Sequence, residues 1–164
     1  MTDMLDKIWP VLERNKMSLV TAESCTGGMI SSIITERSGS SLIFDRGFVT
    51  YSNKSKTELL DVSREILETH GAVSRECADA MVQGALKNSD AQIGVSVTGI
   101  AGPTGGTADK PVGLVYIGYA LKGQPAMVAK HNFPGDRAAV RKQSVEAALT
   151  HIYELLTTNG LNAS

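Results

Sequence analysis

The sequence has few of the residue types that build disulfide frameworks, metal centres or strongly charged surfaces. Its 164 residues include 2 cysteines and 3 histidines, too few and too scattered for a disulfide framework or a four-ligand metal site. The 16 Lys+Arg residues nearly balance the 17 Asp+Glu residues, so no net charge favours nucleic acid or an anionic membrane. No apolar run approaches the roughly 20 residues of a membrane-spanning helix. We expect a cytoplasmic protein that holds no metal and binds neither nucleic acid nor membranes.

Strand patterns and helix patterns alternate along the chain. The length fits one domain over residues 1–164, which would bury roughly 70% of the surface that the unfolded chain exposes. Patterns typical of strands lie around residues 19–22, 42–51, 93–97, 112–121 and 126–133. Helices are predicted after residue 28 and after the candidate caps at residue 52 or 53 and at residues 63, 74 and 136. The last two strands form a hairpin. The sequence therefore predicts a single three-layer α/β/α domain with a mixed sheet.

A first helix is predicted before these elements, because apolar residues near the N-terminus recur at helical spacing. Leu5, Ile8 and Leu12 share one face with Trp9. Pro10 lies within the pattern and lacks the N–H that the helix ladder requires. We therefore expect the helix to kink or restart at Pro10.

The most informative stretch is residues 22–28, where the first strand turns into a helix. Ser24 stands at this bend and is followed by Thr26, Gly27 and Gly28. Unpaired main-chain N–H groups at such a turn suit an anion, whether a bound phosphate or the oxyanion of an acyl-transfer intermediate. We interpret Ser24 as a nucleophile, with the three residues after Cys25 as backbone donors. Cys25 is the rival nucleophile, although a buried free cysteine is the simpler interpretation.

A serine nucleophile needs a base, and lysine is the candidate because no histidine lies in the predicted strand-end bends. A lysine acts as a base only when neutral, so its pKa must be depressed by burial or by nearby cations. Lys56 precedes Leu59 and Leu60 by three and four residues, which places it on the apolar face of its helix. Lys54 is rotated by about 200° from it and should face solvent. The alternative is that Lys56 is an ordinary solvated lysine.

Three further features could complete a pocket at the carboxyl ends of the strands, where open sheets bind ligands. Tyr51 precedes the Lys56 helix and could position a substrate, relay a proton or remain a half-buried tyrosine. The glycine-rich loop 99–106 matches neither a Walker A loop nor a strict dinucleotide fingerprint, and a mobile surface loop is its simpler interpretation. Arg137 and Arg141 share a face at the start of the last helix and suit a phosphate, unless both are merely solvated.

Together these residues closely resemble the family formed by the C-terminal domain of the competence-damage-inducible protein CinA and its stand-alone relatives, the nicotinamide mononucleotide deamidases. The blocks that carry the resemblance are TAESCTGG (21–28), RGFVTYSN (46–53), HGAVS (70–74), GIAGP (99–103) with GG (105–106), KPVG (110–113) and FPGDR (133–137). They span nearly the whole chain in one order. Several ordered blocks are a far more specific signal than any single motif here.

The resemblance implies a metal-independent amidohydrolase without a cofactor, which converts nicotinamide mononucleotide and water to nicotinate mononucleotide and ammonia in pyridine nucleotide recycling. By family likeness Ser24 is the nucleophile and Lys56 its base, with Tyr51 assisting. The candidate substrate-binding residues are Phe48, Gly99, Ala101, Gly102, Arg137 and Arg141. We also expect a homo-oligomer, as is common for compact enzymes of this size. The alternatives are a nucleotide-binding or regulatory module without turnover, and an amidase or esterase for another small substrate.

Overall fold

The computed structural model describes residues 2–162. The helices are α1 (Thr2–Arg14), α2 (Met29–Thr35), α3 (Asn53–Leu60), α4 (Arg64–His70), α5 (Arg75–Lys87) and α6 (Arg137–Thr158), and a short 3-10 helix covers Ser40–Leu42. The strands are β1 (Leu19–Glu23), β2 (Phe44–Val49), β3 (Ile93–Gly99), β4 (Leu114–Leu121) and β5 (Met127–Asn132). The predicted alternation of strands and helices and the late hairpin are confirmed.

The five strands form one mixed sheet in the order β2-β1-β3-β4-β5. Strand β1 pairs in parallel with both β2 and β3, whereas β4 pairs antiparallel with both β3 and β5. The carboxyl ends of the three parallel strands therefore meet at one edge of the sheet. The three segments that hold the candidate site residues lie at this edge: 24–28 after β1, 51–56 after β2 and 99–106 after β3.

A hydrophobic core covers each face of the sheet, which confirms the three-layer α/β/α architecture. Helices α1, α2 and α6 pack on one face, against alternating strand residues such as Ile93, Val95 and Val97. Helices α3, α4 and α5 pack on the other face, over Val20 and Ala22. Both faces of β1 and β3 are thus buried, as expected for central strands of a sheet covered on two sides.

Helix α1 runs through Pro10 as one helix, so the predicted restart does not occur. Pro10 lies on the exposed side of the helix. The carbonyl of Asp6, which loses its ladder partner there, belongs to an exposed residue and can be hydrated instead. The buried side of the helix holds Ile8 and Leu12 against the core.

The four predicted helix caps are confirmed. Each cap side chain accepts a hydrogen bond from the amide three residues later: Ser52 from Ser55, Ser63 from Ile66, Ser74 from Cys77 and Asp136 from Ala139. Such bonds satisfy amides that the first helical turn leaves unpaired. They fix where α3, α4, α5 and α6 begin, and two of these starts border the candidate site. Among residues 2–162, no helix is both long and apolar enough to cross a membrane.

Candidate active site

Ser24 follows the last residue of β1 and lies in the bend that leads to α2. Its amide donates to the carbonyl of Val97 on β3 at 3.0 Å, which ties the bend to the neighbouring strand. The side chain is 8% exposed. Ser24 is therefore held at the edge of the sheet with limited access to solvent.

Lys56 reaches Ser24 from α3. Its Nζ lies 3.1 Å from Ser24 Oγ, and it also donates to the carbonyls of Thr50 at 2.8 Å and Tyr51 at 3.2 Å. The lysine is 1% exposed, whereas the Lys54 side chain is 83% exposed and pairs with Glu58. Helical phase thus assigned the two lysines to opposite sides, although Leu59, one of the two residues used for that assignment, is itself 48% exposed.

Burial lowers the pKa of Lys56 below its ordinary value of 10.5, while the sulfur atoms of Cys77 and Cys25 act in the opposite direction. The cause is desolvation, which penalises the ammonium relative to the neutral amine. Among the described residues, no carboxylate forms an ion pair with Lys56. The two carbonyl acceptors hold its N–H groups, so the remaining tetrahedral position of the nitrogen faces Ser24 Oγ.

The backbone contacts of Lys56 also explain where β2 ends. The sequence predicts extended structure as far as Tyr51, but the strand stops at Val49. The amide of Thr50 still bonds to the Glu23 carbonyl at 2.9 Å, and the next two carbonyls turn towards Lys56. The chain leaves the sheet at the point where it begins to hold the lysine.

The turn between β1 and α2 is held on one side by Glu23, which the sequence analysis did not identify. This carboxylate is fully buried. It accepts hydrogen bonds from the amides of Ile30 at 2.9 Å and Ser31 at 3.1 Å, and from the Ser31 hydroxyl at 2.8 Å. The sequence signal that could have found it is an acidic residue at the end of an otherwise apolar strand.

On the opposite side the turn is held by Arg141 of α6. Its Nε donates to the Cys25 carbonyl at 3.1 Å and its Nη2 to the Thr26 carbonyl at 3.2 Å. Within the turn, the Gly27 amide donates to the Ser24 carbonyl at 3.1 Å. Gly27 and Gly28 have φ values of 58° and 96°, which favour glycine. Arg141 is a predicted phosphate ligand; its guanidinium binds main-chain carbonyls of the turn, and the residue also lines a neighbouring cavity at the start of α6.

A cavity of about 300 Å³ opens above the dyad of Ser24 and Lys56. Eight residues singled out from the sequence line it: Ser24, Cys25, Tyr51, Lys56, Gly99, Ala101, Gly102 and Arg137. Ala72, Val73 and Thr98 also line it. Sequence reasoning missed these three, although the first two lie in a block that carries the family resemblance. The Thr98 hydroxyl donates to the Ala72 carbonyl at 2.8 Å and joins the two segments.

The glycine loop forms the outer wall of the cavity. A Cβ atom at Gly99 would lie 2.6 Å from the Val115 side chain and 2.8 Å from the Leu114 carbonyl, so only glycine fits there without displacement. Arg137 joins this loop to the opposite wall, because its Nη1 donates to the Gly102 carbonyl at 2.9 Å and its Nη2 to the Tyr51 hydroxyl at 3.3 Å. The Tyr51 phenol is therefore directed to Arg137 at the exposed mouth.

Phe48 takes a position other than the predicted one, whereas Cys25 is buried, as its simpler interpretation predicts. Phe48 is a predicted substrate contact, but its side chain packs against the core beneath α3 and α5 and does not line the cavity. Its position in β2 turns it to that face of the sheet. Cys25 is 6% exposed, and burial raises the pKa of its thiol to about 11. A thiol of that pKa is protonated near neutrality and is a weak nucleophile, which favours Ser24.

Residues 2–162 contain no group of three or more His, Cys, Asp or Glu side chains that could hold a metal ion.

A second cavity of about 660 Å³ adjoins the first and shares Ala101 and Arg137 with it. The site thus comprises a smaller cavity, with the buried Ser24 and Lys56 on its inner side, and a larger neighbouring cavity. Arg137 lines both cavities.

Known proteins have sequences similar to this chain. The nicotinamide-nucleotide amidohydrolase PncC of Enterobacter agglomerans is 54% identical over 128 residues, which are 78% of each chain. A competence-damage inducible protein of Clostridium acetobutylicum is 46% identical over 92% of this chain but only 36% of its own length. The chain thus spans about a third of the length of the competence-damage inducible relatives.

Solved structures show the same fold. The competence/damage inducible protein CihA of Agrobacterium tumefaciens superposes with a TM-score of 0.87 at 42% identity, over 93% of this chain and 90% of that one. A CinA superfamily protein of Klebsiella pneumoniae gives a TM-score of 0.90 at 33% identity, over 95% and 97%. The sequence profile of the CinA C-terminal domain matches residues 1–156. With nearly its whole length covered by that profile, the chain belongs to the CinA C-terminal domain family.

Proposed function

We propose that the protein is a nicotinamide mononucleotide deamidase, which hydrolyses the carboxamide of its substrate through a covalent Ser24 intermediate. The observation that carries the proposal is the 3.1 Å approach of Lys56 Nζ to Ser24 Oγ within a buried setting that favours the neutral amine. The similarity to the PncC amidohydrolase of Enterobacter agglomerans supports the substrate.

The contacts of Lys56 suit a general base. A neutral amine has two N–H donors and one lone pair. The Thr50 and Tyr51 carbonyls occupy the donors, and the lone pair is then directed at the Ser24 hydroxyl. Once protonated, the lysine keeps both carbonyl bonds and holds the new proton within reach of the leaving group.

The reaction then follows with all atoms balanced. Lys56 removes the Ser24 proton while Oγ bonds to the carboxamide carbon, and the carbonyl electrons move onto oxygen. Of the predicted backbone donors Thr26, Gly27 and Gly28, the amide of Gly27 is bonded within the turn, so the amides of Thr26 and Gly28 are the donors to that oxyanion. Its collapse breaks the C–N bond, and Lys56 returns its proton to the departing amide nitrogen, which leaves as ammonia. A water molecule, deprotonated by Lys56, hydrolyses the ester to the carboxylate and restores Ser24.

The two adjoining cavities suit the two ends of a nucleotide. The pyridine carboxamide fits the smaller chamber above Ser24, and the ribose phosphate extends into the larger space past the shared Ala101 and Arg137. Arg137 is the better phosphate ligand of the two candidate arginines, because it is exposed and lines both cavities. Gly99, Ala101 and Gly102 shape the chamber around the ring.

The test is ammonia release from nicotinamide mononucleotide by the wild-type protein and by Ser24→Ala. We expect turnover by the wild type and a loss of about 10⁴-fold or more in the variant, as for other serine hydrolases that lose their nucleophile. Mass spectrometry of a rapidly quenched reaction should show an acyl group on the peptide containing Ser24. No ammonia from the wild type would reject the function, whereas full activity of Ser24→Ala would reject the covalent mechanism alone.

Substrate comparison addresses the alternatives. Free nicotinamide contains the reacting carboxamide but neither ribose nor phosphate, so the proposed enzyme should use it poorly. Equal or better turnover of nicotinamide would indicate an amidase for another small substrate. Tight binding of the nucleotide without ammonia release would indicate a binding module.

A further inference from the structure

We infer that Arg141 is a positioning residue, which acts through the main chain to aim the Thr26 amide at the oxyanion formed on Ser24. The inference starts from the contacts of Arg141 with two successive carbonyls of the nucleophile turn, those of Cys25 and Thr26. It rests on the proposed function for its kinetic readout.

A planar guanidinium fixes the direction of the carbonyls that it binds. Its N–H donors form a rigid fork, so the Cys25 and Thr26 carbonyls must both face α6. Both peptide bonds are trans, since the cis bond of the described chain is Gly102–Pro103. In a trans peptide the carbonyl and the following N–H point in opposite directions. The amides of Thr26 and Gly27 therefore point away from Arg141.

Only one of these two amides is open for catalysis. The Gly27 amide already donates to the Ser24 carbonyl, so it is engaged within the turn. Further along the turn, the Met29 amide bonds to the Thr26 carbonyl, and the next two amides bind Glu23. Among the hydrogen bonds of residues 2–162, none pairs the amides of Thr26 and Gly28, and of these two only the Thr26 amide belongs to a peptide whose carbonyl Arg141 binds. It is the donor whose direction Arg141 sets.

The packing of α6 fixes the position of Arg141. Val140, Ser144 and Val145, which flank Arg141, are fully buried, and the Ser144 hydroxyl bonds to the Val140 carbonyl at 2.7 Å. Lys142, the next residue, is exposed. Arg141 therefore extends from a fixed part of the helix, and Lys142 provides a matched cation whose removal should leave the turn unchanged.

A positioning role and a phosphate-binding role for Arg141 predict different kinetics. If Arg141 aims an oxyanion donor, Arg141→Ala lowers kcat by about 100-fold, the usual cost of a displaced catalytic group, and leaves KM nearly unchanged. The same factor should apply to nicotinamide riboside, which lacks the phosphate. If Arg141 binds phosphate instead, KM for the mononucleotide rises and the riboside reaction is unaffected.

The experiment measures kcat and KM for both substrates with wild type, Arg141→Ala, Arg141→Lys and Lys142→Ala. Labelling of Ser24 by a fluorophosphonate is followed in parallel, because that reaction needs the serine and its oxyanion donors but no nicotinamide substrate. Arg141→Lys keeps the charge but not the fork, so it should remain slow, while Lys142→Ala should match the wild type. Affinity for nicotinate mononucleotide and thermal unfolding show whether each variant keeps its fold.

Unchanged kcat and unchanged labelling in a folded Arg141→Ala variant would overturn the inference, and so would a purely phosphate-dependent rise in KM. A wild type that labels at Ser24 but releases no ammonia would instead overturn the proposed function. In that case the labelling rates of the Arg141 variants still decide the inference. If Arg141→Ala does not fold, Arg141→Lys carries the same comparison.

Discussion

The cavity has two walls that are built in opposite ways. The inner wall carries Ser24 and Lys56, which are 8% and 1% exposed. The outer wall consists of the glycine loop and the start of α6, where residues 103–109 and Arg137 are exposed. Tyr51, at the mouth between them, is 63% exposed.

The contacts differ as much as the exposure. On the inner wall, Lys56 Nζ makes three hydrogen bonds, and the turn after Ser24 is held from two sides by Glu23 and Arg141. On the outer wall, one exposed arginine joins the loop to Tyr51. Proton transfer requires distances fixed to fractions of an ångström, whereas a ligand-binding wall can adjust as substrate enters. The comparison assigns chemistry to the inner wall and recognition to the outer wall.

Removing the base should give the largest effect. Lys56→Met keeps much of the apolar stem but supplies no base, so we expect kcat for the mononucleotide to fall by about 10³-fold or more. Lys54→Met, a matched change two residues away on the exposed face, should remain within about twofold of the wild type. Steady-state ammonia release measures both. Comparable losses in the two variants would show that burial does not distinguish the lysines.

Truncation on the outer wall should change affinity rather than chemistry. For Arg137→Ala we expect KM for the mononucleotide to rise by about 10- to 100-fold, the usual worth of a hydrogen bond to a charged group, with kcat altered much less. The riboside, which has no phosphate, serves as the control substrate and should show a smaller change in KM. A loss confined to kcat would assign Arg137 to the chemical step and contradict the assignment of recognition to the outer wall.

The pH dependence should sharpen the contrast further. The active form of Lys56 is neutral, so log kcat/KM should rise with pH at about one unit per pH unit until the lowered pKa is reached, and then level off. Lys56 loses its proton at a lower pH in the folded state than in the unfolded state. The contribution of Lys56 to the free energy of unfolding should therefore increase with pH between its lowered pKa and 10.5. A profile that still rises at pH 10.5 would contradict the effect of burial.

Local signals made much of this arrangement predictable. The caps at Ser52 and Ser63 are read from neighbouring residues, and the phase of α3 separates Lys56 from Lys54 over two positions. Of the two leucines that define this phase, Leu60 is buried but Leu59 is exposed. A short helix on the surface of a sheet presents a narrower buried face than its apolar residues suggest.

The contacts that were not predicted depend on segments far apart in the chain. Arg141 reaches carbonyls 115 and 116 residues before it, and its spacing from Arg137 indicates only that the two share a helix face. Phe48 is a predicted substrate contact, but its orientation depends on which face of β2 is turned to α5. Tertiary packing fixes both, and no local pattern encodes it.

The buried carboxylate of Glu23 has a consequence for inhibition. The first turn of α2 is the place where a free anion would be expected to bind, yet the chain supplies its own anion there. A group tethered seven residues away competes at a high effective concentration, so millimolar phosphate or sulfate should not displace it. The turn that presents Ser24 should therefore keep its shape in buffers of any common anion, and an anionic inhibitor would have to bind elsewhere in the cavity, at Arg137 or at the unpaired Thr26 amide.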